Sequence, residues 1–319
     1  MYLYFPERFY NLTDQLGSLT NQQSIANQFY DKHNLRSKFP EFVAIADETL
    51  KNGHYVDVAD VKLNALLMLV FAYLYKLDDT FEEYIHHPDQ HYANFAISLW
   101  QSLYDGVTMP KKRPSFPKYL NIDNSLIERG QLFCELIVSL MELVEQCLAP
   151  SHFRAFVKTY AFYAKNVIQY ESVVRRLMYL NTRPMHMIEY MITRPTCVGY
   201  ITTSPFFLDE KWDLDRNFEI DSYLYRMSSV QVLHVHDLLS APKEQDTVNH
   251  VKLLEATGFD RKMATLRTAD VANQVMKDLE DYHDQCPVKR NFIYGELRSI
   301  YQITNYQVPM SRYGWKPIN

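Results

Sequence analysis

Apolar residues along this chain recur at the three-and-four spacing of helices, and no stretch shows the sustained alternation of a strand. The longest helical pattern begins near Val56 and persists through Tyr84, with Asp57 or Asp60 placed to cap it and Pro88 to stop it. A second helix is predicted over Tyr92–Tyr104, ended by Gly106 and followed by a proline-rich loop, Pro110 to Pro117. Asp123–Leu148 is strongly periodic and stops before Pro150, after which Ser151 caps a helix reaching about Leu180. Pro184 suits a first helical position and opens a segment through Tyr200. A Pro-containing aromatic loop, Ser204 to Trp212, precedes a helix from about Phe218 to Gln245. Two or three more helices follow, broken by Gly258 and Pro287. Residues 1–40 are polar, with short amphipathic pieces between Pro6 and Pro40. Helices of one character flank the Pro110–Pro117 loop, so the pattern predicts a single all-α domain over 1–319, with 1–40 packing over the bundle.

Composition sharpens this picture. The 319 residues are 47% hydrophobic and 22% charged, enough apolar material for a sizeable core. Eight glycines against 24 Tyr, 18 Phe and 12 Met disfavour a turn-rich β-sandwich or a glycine-rich nucleotide-binding fold. A net charge of −5 with no basic stripe argues against nucleic acid or an anionic membrane as partner. Cys134, Cys147, Cys197 and Cys286 form no CxxC pair and read as reduced thiols of an intracellular protein, neither disulfides nor a zinc site. The start, MYLYFPERFY, has no apolar signal core, and the most apolar run, Ala65 to Tyr75, is too short to span a bilayer. The expectation is a soluble cytoplasmic protein, monomer or homodimer, without stable membrane insertion.

Two stretches carry candidate chemistry. In ALLMLVFAYLYKLDDTFEEY, eleven apolar residues give way to Asp78, Asp79, Glu82 and Glu83. Asp78 and Glu82 are four apart and share one helix face, about 6 Å apart along the axis. Clustered like charges are costly alone, become favourable around a divalent cation, and with all-oxygen ligation suit Mg²⁺. Carboxylates at a helix C-terminus also oppose the macrodipole, which favours a cation there. Taken by itself the cluster reads equally well as the solvated end of a buried helix. In the second stretch, His236, Ser240 and Glu244 fall at i, i+4 and i+8, one stripe of a helix able to hold a second cation, with Lys243 beside it for an anion. Alone, this is better read as ordinary polar residues at a helix end.

Together and in order, the two stretches resemble class I terpene synthases, of the microbial single-domain type. Asp78-Asp79-Thr80-Phe81-Glu82 is similar to that family's DDxx(x)D/E motif. His236 through Glu244 is similar to its (N/D)DxxSxxx(K)E motif at every defining position except the first. Glu171, Arg176, Pro184, Glu189, Tyr190, Arg194 and Gly199 resemble its E…R…P…EYxxxR…G segment, and Arg312-Tyr313 its terminal RY pair. The resemblance runs from about residue 60 to 315. It implies an all-α class I terpenoid synthase bundle around a central active-site cavity. It further implies three Mg²⁺, with Mn²⁺ as possible substitute, that ionise a prenyl diphosphate.

On that resemblance Asp78 carries most of the ligation on one wall with Asp79 or Glu82 assisting, and His236, Ser240 and Glu244 hold an ion on the facing wall. Lys243, Arg194, Arg312 and Tyr313 bind diphosphate oxygens. Arg194 is followed by Pro195 where the family often has a second arginine, so the diphosphate sensor could instead be Arg183 or Arg176. Gly199 matches a position where a backbone carbonyl approaches the substrate. Phe71 and Tyr75 precede Asp79 by eight and four residues and would offer π-faces to the carbocation, and Trp315 could close the mouth. Two departures stand out. His236 replaces Asn or Asp and, as a softer donor, suits Mn²⁺, Co²⁺ or Zn²⁺ better than Mg²⁺. Pro242, inside the motif, should kink the helix and shift Glu244. Farnesyl diphosphate (C15) is the favoured substrate, with C10 or C20 open. A prenyl chain-elongating synthase, an HD-type phosphohydrolase using His236-Asp237 with His86-His87, and a catalytically weak or inactive prenyl-diphosphate-binding protein remain as alternatives.

Overall fold

A computed structural model describes residues 3–4, 19–52, 60–112, 114–118, 121–181, 183–196, 222–242, 244 and 248–285. Every regular element among them is helical, and the protein is all-α. Among the described residues no helix is long and apolar enough to cross a membrane. The chain divides into two compact units, one of Gly17–His54 with Val58–Asn181 and one of Met1–Leu16, Tyr55–Asp57 and Thr182–Asn319.

The first unit is organised around α4 (Val61–Ile85), which packs on α1 (Leu19–His33), α3 (Pro40–Asn52), α5 (Gln90–Thr108) and α6 (Asn124–Glu145). A short α2 (Leu35–Lys38) joins α1 to α3. The sequence accounts for the placement of α4. Leu63 through Tyr75 is apolar on all sides but for Asn64, and a helix hydrophobic all round belongs in the middle. Its start is fixed by Asp60, whose carboxylate accepts from the Lys62 and Leu63 amides, the second of the two caps that the sequence allowed.

α5 runs to Thr108, past the Gly106 predicted to end it. That glycine is buried inside the helix, where an added Cβ would lie 2.4 Å from Ile137 Cγ2 of α6. It serves close approach of two helices, not termination. Gly130 of α6 does the same against the Phe116 ring, 2.5 Å from a notional Cβ. The predicted helix from Ser151 to Leu180 is three pieces: α7 (Pro150–Asn166), with Pro150 at its first turn, a π-turn (Val167–Glu171), and α8 (Ser172–Asn181). π-turns insert one residue per turn and rotate the face that follows; this one immediately precedes Arg175 and Arg176.

In the second unit α9 (Met187–Thr193) starts three residues after Pro184, at a capping box made by His186 and Glu189, and passes into a 3₁₀ turn (Arg194–Thr196). α10 (Ser222–Ser240) packs on α12 (Arg261–Gln285) and on the short α11 (His250–Ala256). Leu238, Ala241, Val251, Leu254, Ala264 and Ala269 form their shared core, with Leu3 against it. Gly258 takes φ 103°, a conformation that favours glycine, at the turn between α11 and α12. α10 stops at Ser240 instead of continuing to Gln245. Pro242 has no N–H to donate to the Leu238 carbonyl and disfavours helical geometry at Ala241.

Candidate metal and diphosphate site

The last turns of α4 carry the first acidic cluster. Asp78, Asp79 and Glu82 are half-buried while Glu83 is exposed, so the three predicted ligands share the less solvated side. Phe71 and Tyr75 are buried one above the other on α4, ring centroids 6.4 Å apart. The counter-charge that the sequence left to a metal is supplied in part by α8. Arg175, 3% exposed, holds Glu171 at 2.9 Å and Glu82 at 3.2 Å, its guanidinium 5.8 Å from the Phe81 ring centroid. Arg176 donates to the Ile85 and His87 carbonyls at 3.2 and 2.8 Å and to Gln90 at 2.8 Å. It thereby caps the negative end of the α4 dipole. Arg176 thus has a structural task on this helix end, and Glu82 is engaged with a protein cation.

The second cluster surrounds the end of α10. Asp237, named from sequence only within the motif and in the phosphohydrolase alternative, is fully buried and sits at its centre. Its Oδ2 accepts from the Tyr190 hydroxyl and from the His250 amide, both at 2.6 Å, and Oδ1 faces Arg194 at 3.8 Å and His236 Nδ1 at 3.7 Å. Burial alone would raise this carboxyl. The adjoining His236 and Arg194, with the Tyr190 hydroxyl, outweigh it and hold Asp237 below the ordinary carboxylate range. Tyr190 is pushed well above the usual phenol value by burial and by Asp237, so its proton stays on.

Below this anchor lie two buried imidazoles. His234 Nδ1 lies 2.6 Å from the Val230 carbonyl, which can only accept, so that nitrogen is protonated. The Thr268 hydroxyl spends its hydrogen on the Ala264 carbonyl, so His250 Nδ1–H must donate to Thr268, at 2.9 Å. Burial, then the neighbouring His234, lowers His250 to about 4. Arg194, 6% exposed, belongs to the Asp237 group. Arg183, its alternative as sensor, makes a two-pronged contact with Glu189 at 2.7 and 2.6 Å, and that Arg183 contact is the chief reason that the Glu189 carboxyl falls to about 2.

The predicted ligands lie around this anchor. His236 is the more solvent-facing, its side chain 17% exposed. Ser240 is fully buried and Glu244 half-buried. Although the helix has ended, the Glu244 amide still donates to the Ser240 carbonyl at 3.1 Å. Asn249, a residue absent from the motif, brings the two side chains together: its Nδ2 lies 3.1 Å from Ser240 Oγ and 2.7 Å from Glu244 Oε2. Gly199, Lys243, Arg312, Tyr313 and Trp315 lie outside the described residues.

The donor chemistry of both clusters fits Mg²⁺. A hydroxyl and a carboxylate converge on one point at Ser240 and Glu244, and two neighbouring carboxylates stand at Asp78 and Asp79. Among the described residues no group of three His, Cys, Asp or Glu is arranged to hold a metal.

No known family profile matches the chain, nor does any curated protein. Among solved structures it is similar to a T181N cucumene synthase, with a TM-score of 0.58 at 13% identity over 91% of this chain and 95% of that one. At that identity the likeness is one of fold: this chain has the all-α architecture of a terpene synthase.

Proposed function

We propose that the chain is a class I terpene synthase of the single-domain microbial type, converting a prenyl diphosphate, C15 by preference, to a terpene hydrocarbon or alcohol with release of diphosphate. The observation that carries the reading is a coincidence of fold and motif. The chain's fold is similar to that of a cucumene synthase over 91% of its length, and the reading is supported by a DDxxE-like stretch in the last turns of α4 and a second motif-like stretch that runs from the last turns of α10 past its end.

The residues suit the chemistry. Asp78 and Asp79 are the ligands at the end of α4, and Glu82 joins them only on leaving Arg175. Ser240 and Glu244 are ligands at the end of α10, with His236 in the position the family gives to Asn or Asp. Divalent ions, when bound, invert the local negative field and stabilise the departing diphosphate as Lewis acids. The substrate C–O bond breaks with its electron pair leaving on the diphosphate. The allylic cation then loses a proton to give a hydrocarbon or is captured by water to give an alcohol. Arg194, with Lys243, Arg312 and Tyr313, would donate to diphosphate oxygens. Phe71 and Tyr75, and Trp315 at the mouth, would face the cation; Gly199 would admit a backbone carbonyl to the substrate.

The test is incubation with geranyl, farnesyl and geranylgeranyl diphosphates and Mg²⁺, followed by hydrocarbon analysis. Volatile terpenes or alcohols that vanish in Asp78→Asn and Ser240→Ala support the reading. Longer prenyl diphosphates would point to chain elongation, inorganic phosphate without terpenoid to a phosphohydrolase, and no turnover to a binding protein. Mg²⁺ use should be weak relative to Mn²⁺ and restored in His236→Asn; an unchanged preference in that variant counts against ligation by His236.

A further inference from the structure

Asn249 is fully buried and its amide can face only one way. Oδ1 accepts from the Val251 and Lys252 amides at 2.9 and 3.4 Å and so caps α11. That leaves Nδ2 turned toward the end of α10, where its two hydrogens are shared among three oxygens: the Asp237 carbonyl at 2.8 Å, Glu244 Oε2 at 2.7 Å and, at the longest distance, Ser240 Oγ at 3.1 Å. All three acceptors belong to the stretch 237–244. α10 stops before Pro242, so helix geometry no longer fixes where the Glu244 side chain points. The amide of Asn249 replaces it.

The replacement has a chemical advantage. A hydroxyl has two lone pairs and a carboxylate about four sites, so each oxygen held by Nδ2 keeps capacity for a cation. Asn249 is neutral and brings no charge to oppose one. We propose that Asn249 is a positioning residue, which caps α11 with one end of its amide and with the other holds Ser240 and Glu244 in the arrangement that ligates a divalent cation. This inference rests on the reading of the α10 end as a cation site.

The experiment measures Mn²⁺ binding to the full chain by loss of the free-ion EPR signal, in an Asp78→Asn/Asp79→Asn parent so that the first cluster does not contribute. Asn249→Ser retains a capping oxygen of comparable quality but has no arm to reach Ser240 and Glu244. It should weaken Mn²⁺ binding about 10- to 100-fold, the usual effect of removing a residue that orients a ligand, while its melting temperature stays within a few degrees of the parent. Because Asn249 acts through Ser240 and Glu244, Asn249→Ser should weaken binding less in a Glu244→Gln background than in the parent, and no further in a Ser240→Ala/Glu244→Gln background. Parent-like binding in Asn249→Ser, or a loss that adds in full to that of Glu244→Gln, would overturn the proposal. If Asn249→Ser melts well below the parent, Asn249→Thr, which caps with the same type of oxygen, is read by the same criteria. A parent that binds no Mn²⁺ overturns the cation-site reading itself, and the role of Asn249 falls with it.

Discussion

Replacing Tyr190 by Phe removes one oxygen from the most enclosed polar group described. The hydroxyl donates at 2.6 Å to Asp237, and both residues are fully buried. The ring keeps its packing against His234 and His250, with centroids at 6.0 and 5.3 Å, so the change is close to a pure hydrogen-bond deletion. A bond to a charged acceptor is worth about 1.5–3 kcal/mol, and Asp237 keeps the His250 amide and Arg194 beside it. The expected cost is therefore about 2 kcal/mol in urea unfolding at pH 7.5, with an unchanged m-value. The pH dependence supplies a second signature. Asp237 is depressed in the folded chain, so its charged form adds stability above the unfolded carboxyl value, lost as pH falls through the folded value. Losing the hydroxyl removes one cause of that depression, so the gap between Tyr190→Phe and wild type should narrow in acid. In an Asp237→Asn background the bond joins neutral groups, and Tyr190→Phe should then cost only about 1 kcal/mol. A loss below about 0.5 kcal/mol in the wild-type background would refute the reasoning.

Three further outcomes follow from the same geometry. Arg175→Met strips the counter-ion from Glu171, which is 2% exposed, and should cost about 3–5 kcal/mol by urea unfolding; adding Glu171→Gln should recover most of it. Gly106→Ala drives a Cβ into Ile137 Cγ2 and should cost about 1–3 kcal/mol, with Ile137→Ala in the same chain costing less than the sum of the two single changes. His250 has a folded value of about 4 against 6.5 in the unfolded chain, which therefore takes up the proton first. Stability should be complete above pH 6.5 and fall toward pH 4 by about 1.4 kcal/mol per unit, about 3 kcal/mol in all, a slope from which His250→Phe removes one proton's share.

The legible parts of the fold were those written in short-range chemistry. α4 begins at the capping aspartate and ends within a residue of its predicted end, because an apolar run with a carboxylate at one end and Pro88 beyond the other has few other ways to fold. Gly106 misled because a glycine that ends a helix and one that admits a neighbour's side chain look the same in one dimension; Ile137, thirty-one residues on, makes the difference. Pro242 was expected to kink α10 and instead closes it, because it has no N–H for the Leu238 carbonyl and disfavours helical geometry at Ala241. Among the candidate residues, the helices bearing Asp78, Asp79, His236 and Ser240 were readable from periodicity, whereas Glu244, expected on the same helix as Ser240, lies beyond its end. What escaped were the pairings between distant positions, including those of residues such as Tyr190 that the resemblance had named. Arg175 meets Glu82 across 93 positions, and Tyr190 meets Asp237 across 47. Asn249 had a signal of its own, standing as a cap before HVKLLEA, but the cap explains only one end of its amide.

The two acidic clusters settle the same electrostatic difficulty by opposite means, and the difference bears on how each can be loaded. Carboxylates gathered on a half-buried surface repel one another, and something must neutralise or orient them when no metal is present. At the end of α4 a permanent cation does so: Arg175 lies 3.2 Å from Glu82, and a dication drawing on Glu82 must compete with a guanidinium that is also tied to Glu171. The Coulomb energy surrendered there works against ligation by Glu82. At the end of α10 a neutral amide orients Ser240 and Glu244 and brings no positive charge of its own. Arg194 lies 3.8 Å from Asp237, a carboxylate sealed from solvent, and His236 Nδ1 lies 3.7 Å from it. The buried Asp237 thus draws Arg194 to a carboxylate outside the predicted ligand set, whereas at the end of α4 Arg175 is drawn to Glu82, one of the predicted ligands.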